Sequence, residues 1–160
     1  MKSAKHFRSA VVSVSLLLTA VAGTVSAATD EAVIQCRQKV MTAVGSHVGA
    51  VADIFKNQLP YGKDRIAEHA RLLRGSVGMI ESAFKQQTAD TKTDAKPAVW
   101  KEWSKFEEKI KALDAEVAAF EKIAASGSPQ EIGGQFRKVG GTCKGCHDDY
   151  RKPKEESRKK

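Results

Sequence analysis

Aromatic residues make up only 6% of the 160-residue chain, and it holds just 3 cysteines. An odd and small cysteine count argues against a disulfide scaffold. No segment alternates apolar and polar residues as a half-buried strand does. The longest apolar run, over 11–22, is about a dozen residues, short of the roughly 20 that span a bilayer. No nucleophile–base constellation or phosphate loop is visible, so hydrolase and transferase chemistry have no support. Disorder is equally unsupported, because hydrophobic residues reach 41% and recur regularly. What is left is one domain of ordinary size.

The formal net charge of +8 invites a nucleic-acid or membrane reading. Its distribution withdraws the invitation. Lys2, Lys5 and Arg8 stand at the N-terminus, and the stretch 151–160 is a basic tail with a net charge of +4, leaving +1 for residues 28–150. No basic stripe is interleaved with aromatics, so no nucleic acid is expected as a partner. The tail reads as solvated, or as a means of steering an acidic redox partner.

Residues 1–27 have the parts of a cleaved secretory signal: the three basic residues, the apolar run, and Val25, Ser26 and Ala27 as a small-residue cleavage site. The expected organisation is therefore a signal over 1–27, a folded domain over 28–150 and a tail over 151–160. Export without a second apolar span points to the periplasm, with no stable membrane anchoring.

Four amphipathic segments fill the domain. Ile34, Met41, Val48 and Phe55 recur every seven residues, predicting a helix over 30–59 capped by Thr29 and ended by Pro60. Ile66, Ala70, Leu73, Val77, Ile80 and Phe84 predict a second over 64–84, followed by a polar loop over 86–94. A third, over 97–125, carries Val99, Trp103, Phe106, Ile110, Leu113, Val117 and Phe120 and closes at Gly127. The fourth opens with Ser128, Pro129, Gln130 and Glu131, a capping box with proline at the first helical position. Its stripe is Ile132, Phe136, Val139, Cys143, Cys146 and Tyr150. The expected fold is all-α, an antiparallel up-down-up-down four-helix bundle.

The chemistry lies in the fourth helix. Cys143, Lys144, Gly145, Cys146 and His147 form the attachment signature of a c-type haem. Cysteines three apart share a helix face, where both thiols can add to the vinyl groups of one porphyrin. The next histidine is then an axial ligand to the iron. A thiol–disulfide site would sit at a helix N-terminus after a strand, and structural zinc would need two further ligands at zinc spacing; neither is present. Since the cysteines continue the apolar stripe, one covalent haem c is expected in the bundle core, its edge near the helix end.

The order of motifs resembles the cytochrome c′ family, the class II c-type cytochromes. The matching residues are Cys143, Cys146, His147, Asp148, Tyr150 and Arg151, then Arg37 to Met41, Gly45, His47 and Gly49, Leu59 to Tyr61, and Asp94 to Pro97 before a tryptophan. The resemblance spans nearly the whole of the domain. It implies a periplasmic haem protein, often a homodimer packed through its first two helices, linked to electron transfer and to binding NO or CO.

The resemblance also places Met41 over the distal face of the iron. In low-spin relatives a methionine there ligates iron and the protein carries electrons. In five-coordinate members an apolar residue shields the iron and admits only small gases. On its own stripe Met41 reads equally as flexible core filling. Arg37 interrupts the stripe between Ile34 and Met41; a buried charge needs a partner, and haem propionates are the obvious anions, whereas a snorkelling arginine needs none. Arg151, one turn after His147, lies by the proximal pocket in the family, or is free as the first residue of the tail. Cys36 lies off the main stripe, either exposed to solvent or a partner chain, or a partly buried small hydrophobe. His47 and His69 read as surface histidines. The expected function is single-electron transfer, with gas binding as the alternative. A peroxidase would require an acid–base group where the resemblance puts Met41, so no enzyme is expected.

Overall fold

The computed structural model describes residues 28–88, 93–153 and 155–156; the expected signal over 1–27 lies outside the described residues. Six helices follow in order: α1 (Asp30–Phe55), α2 (Lys63–Val77), α3 (Ile80–Phe84), α4 (Ala98–Lys101), α5 (Trp103–Ser126) and α6 (Pro129–Tyr150). The long segments α1, α2 with α3, α5 and α6 form the expected four-helix bundle, α1 packing on α2, α2 on α5 and α5 on α6.

Local chemistry sets the ends. The Thr29 hydroxyl accepts from the Ala32 amide at 3.2 Å, and Asp30 and Glu31 occupy the first turn where the helix dipole favours negative charge. α1 stops four residues short of the expected end. Asn57 adopts a left-handed conformation (φ 58°), its amide reaching the Ile54 carbonyl and that of Gln58 the Asp53 carbonyl. That pair of bonds is a Schellman termination, so asparagine rather than Pro60 ends the helix.

The second predicted helix is divided. At Gly78 and Met79 the chain tightens into a short turn, with the Met79 amide on the Ser76 carbonyl at 3.2 Å. Glycine's weak helix preference fits a break there. Ile80 stays buried, while Met79 is 49% exposed. The third is divided at Glu102 (φ −122°, ψ 42°), separating the single turn α4 from α5. The fourth forms as expected: Ser128 and Glu131 exchange the reciprocal bonds of a capping box, with Pro129 at the start.

The core holds Phe120, Ile34, Ile54, Ile66, Leu73 and Ile132 among its fully buried side chains. Each such burial contributes about 1.5–3 kcal/mol. Among its buried polar groups is Gln135, whose amide nitrogen donates to the backbone and side chain of Glu116 at 3.0 and 2.6 Å. At one end of the bundle α1 and α6 meet, the Phe55 and Phe136 rings stacking at 5.8 Å with Phe120 5.4 Å from Phe136. A Cβ on Gly133 would lie 3.4 Å from the Phe55 ring, in ordinary van der Waals contact with it. Towards the other end the same two helices line opposite sides of a cavity.

Candidate functional site

The cavity has a volume of about 290 Å³. α6 contributes Cys143, Cys146, His147 and Tyr150; α1 contributes Ile34, Arg37, Gln38, Met41 and Val44; α5 contributes Phe106, Lys109, Ile110 and Leu113. Cys143 and Cys146, three residues apart on a continuous helix, are both half-buried and both open onto this space. Burial raises both thiol pKa values, that of Cys146 to about 11. They are therefore thiols rather than thiolates at neutral pH, unlike the activated cysteine of a disulfide exchanger. Burial, followed by the nearby Arg151 charge, lowers the pKa of His147, with Asp148 opposing. A neutral imidazole keeps the lone pair that a metal ligand requires.

Met41 lies on the α1 wall of the same cavity, half-buried. Arg37, one helical turn earlier, is 3% exposed. Its Nε donates to the Ala83 carbonyl at 3.2 Å, Nη1 to the Thr88 hydroxyl at 3.3 Å, and Nη2 to the Gln86 carbonyl. The guanidinium also lies over the rings of Trp100 and Phe84, at 4.8 and 5.5 Å. Burial lowers its pKa, though not its charge at neutral pH. The partners that a buried arginine demands are thus carbonyls, a hydroxyl and aromatic faces of the chain itself. The same side chain still borders the cavity, so a propionate is compatible with it but is not needed to explain its burial.

Residues 93–96 form a strap across the end of α6. Ala95 and Arg151 pair as an antiparallel bridge. The Lys96 amide donates to the Tyr150 carbonyl at 2.9 Å, the Lys152 amide to the Asp94 carbonyl at 2.8 Å, and Lys96 Nζ to the Asp148 carbonyl at 2.8 Å. Arg151 is exposed yet not free: its amide bonds the His147 carbonyl at 3.0 Å and its guanidinium lies 3.7 Å from Asp94. The first residues of the basic tail therefore brace the segment that carries His147.

The sequence reading matches Gln38, the segment from Asp94 to Pro97 and the tryptophan after it but gives them no role at the site, and it does not single out Lys109. Lys109 pairs with Asp149 at 2.9 Å, and Trp100 donates from its indole to the Phe84 carbonyl at 2.9 Å. The motif match is the available signal for the strap, for Gln38 and for Trp100; Lys109 has none. Cys36 is exposed, not a partly buried hydrophobe. His47 and His69 are not isolated surface residues: both are half-buried, and their Nδ1 atoms lie 3.2 Å apart across α1 and α2.

The cavity suits a c-type haem. Two thiols and an imidazole stand on one wall, apolar side chains on the others, and a thioether faces in from α1. The described residues contain no cluster of three or more His, Cys, Asp or Glu that would hold a bare metal ion. None of the described helices is long and apolar enough to cross a membrane.

Comparison with known proteins agrees with this geometry. The family model for cytochrome c′ matches residues 32–151. The cytochrome c′ of Pararhodospirillum photometricum is 34% identical over 126 residues, covering 78% of this chain and 99% of that protein. That of Alcaligenes xylosoxydans xylosoxydans is 30% identical over 127 residues, 79% of this chain and 98% of its relative. Among solved structures, the nitric oxide complex of a mutant cytochrome c prime from Alcaligenes xylosoxidans superposes with a TM-score of 0.73 at 29% identity, covering 81% of this chain and 100% of that one. Proteins of this kind bind a covalently attached c-type haem, with which the Cys143, Cys146 and His147 set agrees. The bundle, the attachment motif at the end of its last helix and the match along 32–151 together show that this chain belongs to the cytochrome c′ family.

Proposed function

We propose that the chain is a periplasmic cytochrome c′ that transfers single electrons, with Cys143 and Cys146 holding the haem, His147 on one face of its iron and Met41 on the other. The observation that carries this reading is that Met41 of α1 and His147 of α6 line one cavity, so a thioether and a neutral imidazole address the same space. When bound, the haem supplies an iron that takes up and returns one electron. The chain's part is to anchor and orient it. The two thiols fix its position on α6, the strap over 93–96 steadies the turn carrying His147, and Met41 closes the opposite side. A Met/His ligand pair raises the reduction potential and leaves no open position, which suits a carrier rather than an enzyme.

A second reading is supported by solved relatives that hold nitric oxide. In it Met41 shields the iron without bonding it, and the pocket takes up NO or CO. The optical spectrum of the purified ferrous protein, with and without CO, separates the two. A low-spin spectrum unchanged by CO supports electron transfer through a six-coordinate iron. A high-spin spectrum that shifts at once with CO overturns Met41 ligation. Met41→Ala is expected to convert the first behaviour into the second.

Residues 1–27 serve in this proposal as the export signal, and the protein pairs as a homodimer through α1 and α2. Mass spectrometry of the exported protein and sedimentation of the purified one test these two points.

A further inference from the structure

His47 and His69 take no part in the cavity, which neither lines. They come from different helices, 22 residues apart in sequence, and meet with their Nδ1 atoms 3.2 Å apart, ring centroids 5.5 Å apart and planes inclined at 46°. Both are half-buried, so solvent reaches the pair from one side. Only one proton fits between the two nitrogens, and it obliges one ring to donate and the other to accept. A cation instead uses both lone pairs.

The spacing suits that alternative. Imidazole nitrogens bind a first-row divalent metal at about 2.0–2.1 Å, and two of them 3.2 Å apart subtend roughly 100° at the metal, close to a tetrahedral angle. The nitrogens face each other almost head-on, and a swing of roughly 40° by each ring, about its broad terminal torsion, turns both lone pairs onto one point. Glu68, beside His69 and paired with Arg71 at 2.7 Å, adds a carboxylate to the same stretch of helix. We propose that His47 and His69 form a second metal site, binding one divalent first-row cation per chain, with water completing the coordination. No third protein ligand joins them among the described residues, so the site is open and its ion exchangeable. Copper binds such a nitrogen site most strongly in the first-row series. The cation would tie α1 to α2 about two helical turns away from their connecting loop.

The test is a titration with Cu2+ of the ferric, haem-loaded protein after alkylation of the exposed Cys36 thiol, which would otherwise bind and reduce copper; His147 is then engaged by the iron, and the iron is already oxidised. Expected are one copper per chain with a dissociation constant in the micromolar range or below, and at least tenfold weaker binding in each of His47→Gln and His69→Gln. An equivalent of copper is expected to raise the melting temperature of the parent protein and to leave both variants unmoved. Haem absorbance and helical circular dichroism check that the variants are folded. Copper electron paramagnetic resonance of the unmutated protein, which depends on no variant, is expected to show two coordinated imidazole nitrogens. Retention of parental affinity in either folded variant overturns the site, as does binding no tighter than millimolar, one copper per two chains, or fewer than two imidazole nitrogens in the resonance spectrum.

Discussion

The guanidinium of Arg37 lies 4.8 Å from the centre of the Trp100 ring, a contact that joins α1 to α4 beside the cavity. The arginine also gathers the carbonyls of Ala83 and Gln86 and the hydroxyl of Thr88. It therefore organises the chain that leaves α3. Arg37→Leu removes the donors and leaves their acceptors unpartnered in a buried setting. The expected loss is about 1–3 kcal/mol by urea denaturation. Arg37→Lys keeps the charge and loses the planar fork, so it is expected to recover only part of that loss. An Arg37→Leu protein as stable as the parent would show that these bonds contribute nothing net.

Covalent attachment is expected to depend on Cys143 and Cys146 together. Replacing both by alanine leaves no thioether, and acid and organic extraction should then remove all haem from the chain. Replacing one should leave a protein that retains haem through the other. Haem that stays with the double variant after extraction would refute the attachment sites.

Two glycines are expected to respond in opposite ways. A Cβ on Gly127 would stand 2.8 Å from the Ile123 carbonyl oxygen, a backbone atom that cannot swing aside. Gly127→Ala should cost about 1–3 kcal/mol through overpacking. Gly140, inside α6, has nothing within 4 Å of the same position. Gly140→Ala should stabilise the helix by about 0.5–1 kcal/mol. Thermal melts of the two variants side by side check both signs.

Stability is expected to fall as the medium is acidified below neutrality. Burial and the charge of His69 lower the pKa of His47 beneath its ordinary 6.5, with Glu68 opposing. Between the folded and unfolded pKa values of His47 the unfolded chain binds more protons than the folded one, so stability is full above the unfolded pKa and is lost as pH falls from there through the folded pKa. Urea midpoints at pH 7.5 and 5.5, measured with a chelator present, should differ less in His47→Gln than in the parent. Equal differences would remove His47 from the pH dependence.

How far the sequence could be read depended on the range of the forces involved. α6 was legible throughout, because Ser128, Pro129 and Glu131 form a local signal and the two cysteines extend the apolar stripe begun at Ile132. The cavity wall of α1 was legible in the same way, from the recurrence of Ile34, Met41 and their neighbours. The end of α1 was not, since the left-handed Asn57 leaves no trace in apolar periodicity. The breaks at Gly78 and Glu102 also preserve the stripe on either side, so a periodic reading passes over them. Least visible were bonds made across the chain. Arg37 finds Ala83 and Thr88 at separations of 46 and 51 residues, and Lys96 finds Asp148 at 52. A buried arginine announces that it needs partners, but only the packing of helices decides which carbonyls supply them. The nearness of His47 and His69 has the same origin in the α1–α2 pairing.

The aromatic stack of Phe55 on Phe136 has a consequence for how sequences of this kind can vary. It closes α1 against α6 in the half of the bundle away from Cys143, Cys146 and Met41. Changes well separated in space and without shared partners act on stability almost independently. A substitution at the stack alters how firmly the bundle holds together while leaving the cavity wall as it was. A substitution at Met41 does the reverse. Two stretches of one helix are thus separate dials, one for durability and one for the shape of the cavity.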